Sequence, residues 1–143
     1  MRHVILLVEK ERYALPLESV REVFVPPTPS IWSRVPSAPP PIRGVINLRG
    51  RVVMVVDLRM LLGIADNQGR ADKVVLLERG RRDLALLVTE VEGIESVEKI
   101  VAGPGRAGAA VRGIARLRRS AITVLDVEGI DSAVAALFAN QVK

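Results

Sequence analysis

Apolar residues fall along this chain in short runs separated by charged or glycine-rich breaks, a spacing that suits strands better than helices. Runs rich in β-branched residues predict strands at residues 4–8, 13–15 and 21–25, with Glu9-Lys10-Glu11-Arg12 as the first turn. Seven of the nine prolines lie within residues 26–41, which rules out regular helix or central strand there and predicts a long, stiffened loop. Residues 42–47 and 52–56 form two more apolar runs, joined by Leu48-Arg49-Gly50-Arg51. They read as a hairpin in which Gly50 is free to take a positive φ. Asp57 is placed to N-cap a short helix at 58–62, with Gly63 as its stop. Beyond a polar linker at 65–72, strands are predicted at 74–78, 84–88 and 94–97, with a turn at 79–82.

The second series of strands repeats the first. A shift of 69 positions lays residues 42–57 on 111–126 without a gap, and 6 of the 16 pairs are identical. These pairs are Arg43/Arg112, Gly44/Gly113, Leu48/Leu117, Arg49/Arg118, Val55/Val124 and Asp57/Asp126, and most of the others keep apolar character. The same shift lays 5–9 on 74–78, and two further places align Ala14-Leu15 with Ala85-Leu86 and Val20 with Val91. Two copies of one β module, with approximate halves 1–69 and 70–143, predict two small barrels packed together with a groove between them. Duplicated barrels can also exchange a strand. Residues 126–140 are expected to form a C-terminal helix continuing the second cap.

Composition narrows the function classes. The 143 residues suffice for one compact domain. No apolar run approaches the roughly 20 residues a bilayer span needs, and the N-terminus lacks a secretory signal, so a cytoplasmic location is expected. Cysteine is absent and histidine occurs once, at His3, which removes disulfides, thiolate nucleophiles and Cys/His zinc clusters. No cofactor, metal site or catalytic residue is expected; an enzyme would have to work with carboxylates alone. A net charge of +5 and a pI near 10.4 admit a rival reading as a small basic nucleic-acid-binding barrel. Four aromatic residues are too few for a base-stacking platform, and acids interrupt the cations almost everywhere.

Several motifs carry candidate chemistry. Residues 103–108 satisfy G-x-G-x-x-G, but Pro104 and the absence of a βαβ pattern argue for a connector. Asp57 and Asp126 could pair as an acid/base couple, yet they hold equivalent repeat positions before helices, which duplicated caps explain. The arginines at 79, 81 and 82, and at 116, 118 and 119, fall in or near turns and read most simply as solvated tips, with a phosphate patch as the alternative. Arg49 differs, because a stiff hairpin would project it as a binding anchor. Val20-Arg21-Glu22-Val23 reads as a half-buried strand.

Tyr13-Ala14-Leu15-Pro16-Leu17-Glu18-Ser19-Val20-Arg21-Glu22-Val23, Val35-Pro36-Ser37-Ala38-Pro39-Pro40, Arg43-Gly44-Val45-Ile46-Asn47-Leu48-Arg49-Gly50-Arg51-Val52-Val53 and Val56-Asp57-Leu58-Arg59 closely resemble the CheW-like coupling proteins of bacterial chemotaxis. The resemblance covers nearly the whole chain. It implies an all-β fold with short helices, a single domain over 1–143 made of two pseudo-symmetric five-stranded SH3-like barrels, and a C-terminal helix. It implies a non-catalytic adaptor joining chemoreceptor cytoplasmic tips to the regulatory domain of a CheA-type histidine kinase in membrane receptor arrays, with homologous ring partners. A scaffold of the same fold in a parallel motility or receptor-modification pathway is the nearest alternative. By the same resemblance a receptor-binding role falls on Val20, Glu22, Gly44 and Arg49, with Asn47 shaping the hairpin. No motif assigns the kinase contacts. The chain departs from the family pattern at Ser37, where glycine is common. In the second copy Asn47-Leu48-Arg49-Gly50 has become Arg116-Leu117-Arg118-Arg119, which implies that the copies do not share one binding role.

Overall fold

In a computed structural model, residues 1–25, 36–64, 73–78, 83–102 and 110–139 are described. Most of the proline-rich loop (26–35), the linker at 65–72, the turn at 79–82 and the glycine-rich segment at 103–109 lie outside these residues. Ten strands and two α-helices follow in the order β1 (Arg2–Val8), β2 (Glu11–Pro16), β3 (Val20–Phe24), β4 (Ile42–Leu48), β5 (Arg51–Asp57), α1 (Leu58–Leu61), β6 (Lys73–Leu77), β7 (Leu84–Val88), β8 (Glu90–Ser96), β9 (Val111–Leu117), β10 (Ser120–Leu125) and α2 (Val127–Ala139). The strand expected at 94–97 starts earlier, at Glu90. Its seven positions are mixed in burial, so no apolar run announces its beginning.

The strands form two five-stranded sheets, ordered β8-β1-β2-β10-β9 and β3-β6-β7-β5-β4. Matching β1 through β5 with β6 through β10 turns one order into the other, so the sheets are pseudo-equivalent. Each sheet is built from both copies: the β1–β2 hairpin joins β8, β9 and β10, while β6 and β7 join β3, β4 and β5. Strands β4 and β9 occupy the same seven positions of the 69-residue shift.

Position in the sheet explains the two hydrophobic patterns. Strands β6 and β7 lie inside a sheet and are buried on both faces, and they read as near-continuous apolar runs. Strands β3, β4 and β9 are sheet edges and alternate between covered and exposed positions. Alternate side chains feed separate cores. Val4, Leu6 and Val8 of β1 and Val75 and Leu77 of β6 enter a central core with Val56, Leu58, Leu86, Leu125, Ile130 and Val134. Ile5, Ala14, Val97, Ala115, Ile122 and Val124 form a second core, and Ile46, Val53, Val55, Val74, Leu76, Ala85 and Leu87 form a third.

Candidate interaction site

The β4–β5 hairpin turns on two residues, Arg49 at φ 53 and Gly50 at φ 85, with Leu48 paired to Arg51. Two successive positive φ angles make the tight turn whose twist matches the flanking strands. Asn47 locks it, its Oδ1 accepting from the Gly50 amide at 2.9 Å. Arg49 is thereby held at the tip, where its side chain remains 65% exposed.

From that tip the Arg49 guanidinium donates to Oε1 of Glu22. Glu22 is on β3 and Arg49 follows β4, the two opposite edges of one sheet, so the ion pair joins edges that a flat sheet would hold far apart. The sheet curls until they meet. The other sheet repeats the clasp: Arg118, at φ 59 between β9 and β10, donates to Glu95 of edge strand β8 at 2.6 Å. The two arginines are thus held alike within their own sheets. What differs is their surroundings, with Arg116 in place of Asn47 and Arg119, at φ 115, in place of Gly50.

The remaining candidates play other parts. Gly44 is buried at φ 151, next to a register shift between Ile42 and Gly44. This irregularity leaves Arg43 outside the paired ladder, and its Nη1 lies 3.5 Å from Oδ2 of Asp57. Val20 is half-buried and packs on the central core, with a second register shift between it and Glu22. Glu22 and Arg49 are thus in direct contact, Asn47 shapes the turn, Gly44 sets the strand's course and Val20 lies at the core's rim.

Comparison with known proteins bears on the whole chain. The profile of the CheW-like domain family matches residues 2–134. The chain belongs to the CheW-like family. Over 79 residues it is 30% identical to the chemotaxis protein CheW of Helicobacter pylori, an alignment spanning 55% of this chain and 46% of that protein. The crystal structure of the scaffolding protein TtCheW from Thermoanaerobacter tengcongensis superposes with a TM-score of 0.76 at 25% identity, covering 90% of each chain. The two pseudo-equivalent sheets and the C-terminal helix are therefore the CheW fold.

One further cluster in this CheW-like chain escaped the sequence reading. Asp57 does cap α1, its Oδ1 accepting from the Arg59 amide at 3.0 Å. It is also fully buried and held in two-pronged fashion by the Arg59 side chain, with Nε to Oδ1 at 3.1 Å and Nη2 to Oδ2 at 2.9 Å. Arg59 Nη1 reaches Oε1 of Glu9 in the β1–β2 turn at 3.0 Å. Hydrogen bonding to Asp57 raises the Arg59 pKa further, against the opposing effect of burial. The network ties the swapped β1–β2 hairpin to the β5–α1 junction of the other sheet. A signal existed in Val56-Asp57-Leu58-Arg59, but only the topology brings Glu9 to it. The single histidine is also structural: His3 is buried, with Nδ1 3.1 Å from the Met1 carbonyl.

Proposed function

We propose that this CheW-like chain is a non-catalytic adaptor that couples chemoreceptor cytoplasmic tips to the regulatory domain of a CheA-type histidine kinase. Membership of the family over residues 2–134 carries the reading, and the names of the H. pylori relative and the T. tengcongensis scaffold accord with it. The chemistry on display is that of recognition. A rigid hairpin presents an exposed arginine beside a carboxylate, and no helix among the described residues is long and apolar enough to cross a membrane. Val20, Glu22, Gly44, Asn47 and Arg49 form the receptor-binding region. Arg49 and Glu22 supply its polar contacts, Asn47 and Gly44 hold the backbone, and the half-buried Val20 gives an apolar margin. The adaptor works in the cytoplasm, recruited to the receptor array by these contacts.

A reconstitution tests this directly. A soluble receptor-tip hairpin and the kinase regulatory domain are mixed with and without the chain, and complexes are resolved by analytical ultracentrifugation. A ternary complex that forms only when the chain is present is the expected result. Binding of the chain to neither component contradicts the proposal.

A further inference from the structure

The outward face of edge strand β9 carries features that neither the clasp nor the cores use. Arg112, Ile114 and Arg116 alternate with buried Gly113 and Ala115, so all three project from the same side of the sheet. Ile114 is 44% exposed, and Val101, paired to it through two backbone hydrogen bonds of 2.8 Å, is 67% exposed. This apolar pair is built in. A Cβ on Gly113 would meet the Val101 carbonyl oxygen at 2.4 Å, so glycine is what allows segment 97–101 to close onto β9. Arg112, Arg116 and Arg119 have no ion-pair partner among the described residues, whereas neighbouring Arg118 is clasped to Glu95. Arg119 also holds φ 115, a backbone region that suits glycine, at the position where the first copy has Gly50.

We infer that this face, an exposed Ile114–Val101 pair flanked by Arg112 and Arg116, docks an acidic amphipathic helix of a partner protein. Two guanidiniums without an ion-pair partner among the described residues call for carboxylates, which arginine holds bidentately. Arg112 and Arg116 stand roughly 13 Å apart along the strand. Two glutamates eight residues apart on a helix are about 12 Å apart, with an aliphatic residue midway to cover the Ile114–Val101 pair. A second copy is disfavoured, because a self-matched contact would set arginine against arginine. The main-chain edge at Ile114 is already occupied by Val101, which favours a helix laid across the face over an added strand. The face is separate from the Arg49 region, so its failure leaves the adaptor reading untouched.

The probe is a lactam-stapled helical peptide with glutamates at positions i and i+8 and leucine at i+4, titrated into the isotopically labelled full chain and followed by backbone amide shifts. Shifts confined to Val101 and to the strand and turn between Arg112 and Arg119 are expected. They should weaken about tenfold in R112Q/R116Q and in I114S. Absence of shifts on β9, equal affinity of R112Q/R116Q, or equal binding of a lysine-for-glutamate peptide overturns the inference. So does stronger binding to phosphatidylglycerol vesicles or to a DNA duplex than to the acidic helix.

Discussion

Six non-glycine residues among those described have a positive φ, and Arg119, at φ 115, lies farthest from the left-handed region that a side chain tolerates. Ser37, at φ 61, is among the other five. Arg119→Gly should raise stability by about 1 kcal/mol, measured by chemical denaturation, because relief of strain outweighs the entropy glycine adds to the unfolded chain. The buried network has the opposite character. Truncating Arg59 leaves the buried Asp57 carboxyl stripped of its closest partner, so Arg59→Leu should cost about 3–5 kcal/mol. Adding Asp57→Asn to that variant should recover part of the loss; a double variant less stable than Arg59→Leu would mean that the charge is not what matters. Tyr13, the only tyrosine, has its pKa pushed up to about 12, first by burial and then by Glu11. Since the folded value lies above the ordinary one, Tyr13 contributes its full stability below about pH 10 and loses it as pH rises toward 12. Phenolate absorbance should lag in the folded protein, and Tyr13→Phe should flatten the stability profile over that window.

At the scale of elements, the register between segment 97–101 and β9 depends on one missing methyl group. Gly113→Ala would drive a Cβ into the Val101 carbonyl. The Val101–Ile114 bridge should open, seen as faster hydrogen exchange at the Ile114 and Val101 amides, whereas Gly50→Ala, which meets nothing within 4 Å, should act only through its positive φ. Elements of this kind were legible where the sequence repeats. The hairpin at Arg49-Gly50 and the cap at Asp57 are local, fixed by glycine and by a carboxylate one residue ahead of a helix. The start of β8 was not legible, because Glu90, Val91, Glu92 and Gly93 lack the alternation of a half-buried strand. The Arg49–Glu22 clasp was equally hidden. Its partners were each singled out, but 27 residues separate them, and they meet only because the sheet curls its edges together.

The whole molecule is two pseudo-equivalent sheets that trade hairpins, and the internal repeat of the sequence is its visible trace. Repetition announces the modules but not their exchange, since a chain shift is the same whether β1 and β2 stay with their own copy or cross to the other. The exchange ties the two small sheets together, with a central core drawn from both copies and an Asp57–Arg59–Glu9 bridge across them. The clasps supply a matched control for function. Arg49→Ala and Arg118→Ala each remove one exposed arginine–glutamate pair at equivalent hairpins, and an exposed pair is worth little to folding. The decisive measurement is receptor-tip binding by these two variants, alongside their melting temperatures. Both should melt close to the parent, while Arg49→Ala alone loses about 2 kcal/mol of receptor affinity, the scale of a truncated interface arginine. Equal receptor binding by the two variants, or a melting temperature of Arg49→Ala far below that of Arg118→Ala, would make Arg49 a structural residue and contradict the account.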